Sequence, residues 1–259
     1  MSSAPKSIDL NCDLGESFGA WKMGDDEGAL KHISSANIAC GFHAGDPATM
    51  RRTVAAAIRH DVAIGAHPSL PDLQGFGRRE IAISASEVHD LILYQIGALA
   101  AFAKAEGGTL SHVKPHGALY NMAARDVSLA DAVADAVRDF DSNLILVGLS
   151  GSELPAAGER AGLRVAHEVF SDRRYRADGS LLPRSDAGAV IDDIAEAIDQ
   201  ALRLATRGEV VTDDGSVLAV RADTLCLHGD RPTAAEFASR LRVALDTASI
   251  NVVALRGSR

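Results

Sequence analysis

Short apolar stretches recur seven times along this chain, and segments with helical spacing or polar loops separate them. Strands that alternate with helices in this way lie parallel in one sheet, with the helices packed on its outside. The first stretch lies within Ile8–Gly19, IDLNCDLGESFG, where Ile8, Leu10 and Cys12 alternate with Asp9, Asn11 and Asp13 before the run breaks at Gly15. Further strands are expected at Ser34–Phe42, Ala63–Pro68, Leu110–Pro115, Asn143–Leu149, Arg164–Phe170 and Thr224–Leu227. Polar residues gather where several of these strands end. That pattern predicts a seven-stranded parallel (β/α) barrel, because the loops at the carboxyl ends of barrel strands build its site.

Helix signals fit between the strands. Gly24–His32 reads as a short helix. Asp46-Pro47 is a capping carboxylate followed by a first-turn proline, and it predicts a helix to about His60 with Met50, Val54, Ala57 and Ile58 on one face. Ser84-Ala85-Ser86-Glu87 is a capping box for a helix whose Val88, Leu91, Ile92, Gln95, Leu99 and Phe102 keep a 3.6-residue period until Gly107-Gly108. Helices are also expected at about Ser128–Arg138, Ser152–Ala161 and Gly188–Thr206, and from a second capping box, Thr233 to Glu236, to about Ala248. Glu209–Ala222 reads as a hairpin turning at Asp213-Asp214-Gly215. The expectation is one barrel domain over residues 1–259, with that hairpin inserted at about 209–222.

Four of the nine histidines, His43, His67, His116 and His228, fall where an apolar strand gives way to a loop. Asp13, Glu16, Lys114 and Asp230 stand at the same ends. A single histidine there is most simply a ring bonded to backbone, but the set together points to a site. Asp13, Lys114 and His116 are the candidate catalytic groups; Asn11, Glu16, His43, His67, His228 and Asp230 are candidate substrate contacts. Two chemistries fit. Carboxylates and imidazoles serve as general acids and bases, or Asp13, His43 and His67 hold a divalent metal. Lys114 suits a substrate carboxylate or a developing anion. Arg173, Arg174, Arg176 and Arg184 in the loop Ser171–Ser185 either close over an anion or are simply solvated.

Composition narrows the partners. Hydrophobic residues make up 47% and aromatics 4%, which predicts a sizeable aliphatic core. A net charge of -9 argues against a nucleic-acid surface. The opening MSSAPKS lacks the apolar core of a signal peptide, and Leu91–Ala103 is shorter than a membrane span and contains Gln95. Cys12, Cys40 and Cys226 form no CxxC pair and read as buried free thiols in a reducing compartment, so the expected location is the cytoplasm. No Gly-Lys dipeptide and no GxGxxG occurs, which removes a Walker A loop and the dinucleotide fingerprint.

Seven blocks then carry a resemblance: IDLNCDLGESFGAWKMGDDE (8–27), SANIACGFHAGDP (35–47), AIGAHPSLPDLQGFGRR (63–79), HVKPHGALYN (112–121), GLRVAHEVFSDRRY (162–175), DGSLLPRS (178–185) and CLHGD (226–230). With them the sequence resembles the LamB/YcsF family along nearly its whole length, departing at Ser69-Leu70, where the family has Gly-Tyr after His-Pro. The resemblance implies a distorted seven-stranded parallel (β/α) barrel related to metal-dependent sugar deacetylases and glycosidases. It also implies an ATP-dependent 5-oxoprolinase activity that opens the lactam of 5-oxoproline to L-glutamate, with ATP as co-substrate and two partner subunits, B and C. Two other readings stay open: a stand-alone metal-dependent deacetylase or amidase, and a non-catalytic lactam-binding component.

Overall fold

A computed structural model of the chain describes residues 6–227 and 234–256. Its strands are β1 (Ser7–Leu14), β2 (Ser35–Ala39), β3 (Ala63–His67), β4 (Leu110–Val113), β5 (Ile145–Leu149), β6 (Arg164–Phe170), β7 (Glu209–Val211), β8 (Val217–Ala219), β9 (Thr224–Leu227) and β10 (Asn251–Val252). Between them lie α1 (Asp26–Leu30), α2 (Pro47–Arg59), α3 (Ala85–Ala105), α4 (Gly117–Ala123), α5 (Val127–Phe140), α6 (Glu153–Arg160), α7 (Ile194–Arg207) and α8 (Ala234–Thr247). Strands β1 to β6 and β9 pair side by side, all parallel, and β9 returns to β1 to close a barrel.

The barrel is irregular in two places. β1 is forked: Ser7 and Ile8 pair with β10, whereas Asp9 to Cys12 pair with β9. The register between β3 and β4 shifts at Ile64/Gly65, where Gly65 stands opposite His112. A Cβ on Gly65 would lie 2.0 Å from His112 Nε2, so the imidazole fills the space a side chain would need.

Local signals place the helices. Asp46 caps α2 by accepting from the Thr49 amide at 2.8 Å, with Pro47 in the first turn. Ser84 and Glu87 make the reciprocal capping box of α3. Met50, Val54 and Ala57 are buried as their spacing predicts, while Ile58 is 36% exposed. One expectation needs correction, and two elements are unexpected. The helix expected from Gly188 starts at Ile194, because Asp193 caps it through the Glu196 amide. Neither α4 nor the two-residue β10 is anticipated in the sequence. The hairpin forms as β7 and β8. Thr233 of the second capping box lies outside the described residues.

The hydrophobic core is aliphatic as expected, but the barrel lumen is polar. Aliphatic side chains such as Leu10, Val54, Ile92, Leu146 and Leu225 pack between strands and helices, with Cys12 among them. Inside the barrel polar groups bond to one another across the lumen. Asp9 accepts from Ser34, Ser35 and Thr224. One layer on, Asn11 donates to Glu168 at 3.1 Å and Thr224 at 2.7 Å, and Asn37 donates to Asn11 at 2.7 Å and Asp13 at 2.8 Å. A small apolar cluster, Ile145, Val147 and Ala166, packs separately with Leu255. Each of these buried polar groups is tolerable because it has a partner. Cys12, Cys40 and Cys226 are buried free thiols. Among the described residues no helix is long and apolar enough to cross a membrane.

Candidate active site

The polar layers lead up to the carboxyl ends of the strands, where β1 delivers Asp13 and the residue after β4 is Lys114. Lys114 Nζ lies 2.9 Å from Asp13 Oδ1 and 2.7 Å from Glu168 Oε1, all three buried. It also reaches Cys226 Sγ at 3.1 Å and Asn11 Oδ1 at 3.2 Å. An ammonium has three protons, so these four acceptors commit all of them. Burial opposes the charge on Lys114, but Asp13, Cys226 and Glu168 outweigh it and hold its pKa well above the ordinary value. Burial keeps Cys226 a thiol, pushed well above its usual range, so the two carboxylates carry the stabilisation. Tyr120 closes the far side, donating to Glu168 Oε2 at 2.7 Å.

Three imidazoles stand beside this ion triad. His67 ends β3, His43 follows β2, and His116 precedes α4. His67 Nδ1 lies 2.7 Å from the Lys114 carbonyl oxygen, and His116 Nε2 lies 2.9 Å from that of Phe76. A carbonyl only accepts, so each of those nitrogens carries a proton. Between the rings His67 Nε2 and His116 Nδ1 are 3.0 Å apart. His43 stacks on His116 with centroids 3.8 Å apart and planes 6° off parallel. Burial first, then the neighbouring histidines, holds the pKa of His43 and His116 well below the usual range. Glu16 Oε1 approaches His43 Nε2 at 3.5 Å and His116 Nδ1 at 3.9 Å, and Asp13 Oδ2 approaches His67 Nε2 at 3.4 Å.

The loop that presents Phe76 is held by Asp72, which accepts from the Gly75 amide at 2.9 Å and from the Arg79 guanidinium. Phe76 and Gly77 have φ of 55° and 64°, and the Gly77 carbonyl accepts from the Ala118 amide at 2.8 Å. Gly117 is required there: its φ is 59° and a Cβ would come within 2.4 Å of Gly77 O. Ser69, at the departure from the family pattern, is buried beneath this loop, its backbone clamped in both directions by Gln95 at 2.9 Å. A Cβ on Gly77 would meet Ser69 Oγ at 2.3 Å, so a small residue belongs under it.

A cavity of about 820 Å³ opens onto the site. Its lining includes Asp13, His67, Lys114 and His116, together with the arginines Arg78, Arg125, Arg173, Arg176 and Arg184 and the carboxylates Glu80 and Asp178. Arg174 instead pairs with Glu196 on the outside at 2.6 Å. Burial, then the nearby Arg184, lowers the pKa of Arg173 to about 10.

The structure therefore gathers Asp13, Lys114, His116 and His67 at the cavity. Asn11 lies a layer below, while Glu16 and His43 stand behind the imidazoles. His228 and Asp230 lie outside the described residues. Among the described residues, four groups whose ligating atoms come within 4.8 Å of one another are Glu16, His43, His67 and His116, a different set from the Asp13, His43 and His67 drawn from the sequence. Sequence reasoning passed over Glu168, Asn37, His112, Tyr120 and Arg78. The sequence held a signal for two of them, since Asn37 stands between Ala36 and Ile38 in β2 and Glu168 precedes Val169 and Phe170 in β6.

A closed parallel barrel with a carboxylate, a lysine and imidazoles at its strand ends defines a barrel-enzyme type of site. The chain belongs to the LamB/YcsF family, whose model matches residues 8–259. It is 60% identical over 252 residues to the A subunit of the 5-oxoprolinase of Methylococcus capsulatus, covering 97% of each chain. The corresponding A subunit from Geobacillus thermodenitrificans is 58% identical over 251 residues, covering 97% of this chain and 98% of the relative. Among solved structures, the lactam utilization protein of Thermus thermophilus superposes with a TM-score of 0.90 at 51% identity, covering 96% of this chain and 99% of that one. T48 deacetylase, with a TM-score of 0.50, 13% identity and coverage of 97% and 89%, shares the barrel fold alone. The same holds for a GH113 β-1,4-mannanase, with a TM-score of 0.52, 11% identity and coverage of 94% and 100%.

Proposed function

We propose that this chain is the lactam-binding and lactam-opening component of an ATP-dependent 5-oxoprolinase that converts 5-oxo-L-proline to L-glutamate. The observation that carries the reading is the Asp13–Lys114 pair at the floor of an arginine-lined cavity, 2.9 Å between Nζ and Oδ1. It is supported by relatives, named as the A subunits of 5-oxoprolinases, that match nearly the whole chain and by the solved relative named a lactam utilization protein. The sequence offers no phosphate loop, so ATP is handled together with partner subunits B and C. The buried free thiols suit a cytoplasmic setting.

In the proposed reaction water adds to C5 of the lactam, the C5–N1 bond breaks, and the ring nitrogen leaves as the amine, receiving the proton that Asp13 has removed from water. Asp13 takes the proton from water. Lys114 has no N–H left over, so it keeps Asp13 ionised and aimed rather than binding the substrate itself. His116 likewise spends its Nε2 proton on Phe76 and lines the wall of the cavity. The developing oxyanion and the substrate carboxylate meet the arginines, Arg78 and Arg184 among them, whose fork suits a carboxylate.

The test is glutamate release from 5-oxoproline and ATP by this chain alone and with subunits B and C. Glutamate only in the full mixture, lost with Asp13→Asn, supports the reading. Unchanged turnover of Asp13→Asn, or glutamate from the chain alone, overturns it.

A further inference from the structure

The proton inventory of the histidine cluster does not close. Carbonyl acceptors fix one proton on His67 Nδ1 and one on His116 Nε2. A neutral imidazole has one N–H, so His67 Nε2 and His116 Nδ1 are then both lone pairs, facing each other across 3.0 Å. Two lone pairs repel at that distance, and something positive belongs between them.

A third proton would fill that place and make the pair a shared imidazolium. It would do nothing for His43. That ring is 1% exposed, and neither of its nitrogens has a hydrogen-bond partner. A buried nitrogen without a partner is costly, and His43 carries two. Its Nε2 faces Glu16 Oε1, the same oxygen that stands 3.9 Å from His116 Nδ1. One ion among these atoms would answer the facing lone pairs and the His43 nitrogen at once, with Glu16 Oε1 in reach as a further ligand.

We infer that Glu16, His43, His67 and His116 form a site for a divalent transition-metal ion, with His67 Nε2, His116 Nδ1, His43 Nε2 and Glu16 Oε1 as the ligand atoms. Three imidazoles and one carboxylate suit a borderline ion of the zinc or cobalt kind better than magnesium or calcium, which prefer all-oxygen shells. The outer bonds are already those of a ligand histidine: the far N–H of His67 and of His116 goes to a backbone carbonyl, which fixes tautomer and ring orientation. Because Lys114 supplies one of those carbonyls, the ion site and the Asp13–Lys114 pair are held by the same residue. An ion there would supply Lewis acidity at the cavity wall.

The site is tested on the full chain by itself, without 5-oxoproline, ATP or partner subunits, so the outcome is separate from the fate of the lactam reading. Chelator-treated protein is titrated with Co²⁺ and then with Zn²⁺. The expected result is one equivalent of Co²⁺ with the visible bands of a histidine-rich site, displaced by Zn²⁺. His43→Asn and Glu16→Gln should each weaken binding at least about tenfold, with the circular dichroism spectrum retained. His60→Gln, distant on the surface, should leave binding unchanged. Histidine ring ¹⁵N spectra need no variant: Zn²⁺ should shift His67 Nε2, His116 Nδ1 and His43 Nε2 while His67 Nδ1 and His116 Nε2 keep their protons. No saturable Co²⁺ binding, or three N–H protons on the His67–His116 pair unmoved by excess Zn²⁺, overturns the inference.

Discussion

Glu168 Oε1 lies 2.7 Å from Lys114 Nζ, closer than Asp13 on the same ammonium. The lysine is thus shared between a carboxylate at the cavity and one sealed beneath it. Glu168 is fully buried and also accepts from Asn11 and Tyr120. It acts through Lys114 and not on a substrate.

Removing Lys114 leaves two buried carboxylates facing each other. Lys114→Met should lower unfolding stability by roughly 3–5 kcal/mol, measured by urea denaturation. Glu168→Gln keeps the shape and leaves Asp13 as counterion, so it should lower stability less. It should also lower kcat of the assembled enzyme more than it raises KM. Equal stability of Lys114→Met and the parent would refute the shared-lysine account.

Arg184 lines the cavity and Arg174 does not. Arg184→Ala should raise KM for 5-oxoproline by about tenfold, the loss of one charged contact, while Arg174→Ala leaves KM unchanged. Steady-state kinetics of the reconstituted complex would tell them apart.

Burial, then the nearby Lys114 charge and His67, pushes the pKa of His112 down to about 3 from 6.5. Between those values the unfolded chain binds a proton that the folded chain does not, so stability rises with pH in that window. This contribution is complete above about 6.5 and is lost towards about 3, with a slope of up to about 1.4 kcal/mol per pH unit. His112→Gln can still donate to Asn37 and should flatten the acid limb of a stability–pH profile relative to the parent.

Gly65→Ala places a methyl 2.0 Å from His112 Nε2 in the middle of the barrel. It should destabilise by about 1–3 kcal/mol, read as a lowered denaturation midpoint. Combining it with His112→Gln tests the contact, since the two effects should not add.

Features set by neighbouring residues could be read from the sequence. Asp46-Pro47 and Ser84 to Glu87 announce their helices because a cap bonds within its own first turn. Helix α4 gave no such notice, since its N-cap His116 makes no side-chain capping bond and spends both nitrogens elsewhere. The strand ends drew attention to Asp13, His43, His67, Lys114 and His116, but the polar lumen did not. Asn11 and Glu168 are 157 residues apart, and nothing local says that an asparagine in one strand will satisfy a glutamate in another. His112 stayed hidden for a related reason: its place depends on the missing side chain of Gly65 across the β3–β4 ladder.

The fork in β1 has a bearing on how the protein is made. Ser7 to Cys12 wait for β9 and β10, and Asp9 finds Thr224 across 215 positions. During synthesis β1 to β6 leave the ribosome with this seam unzipped and a row of backbone donors and acceptors uncovered. Strands β9 and β10 then act as the clasp, and any molecule that shields the open edge until they arrive guards the nascent chain against joining to its neighbour.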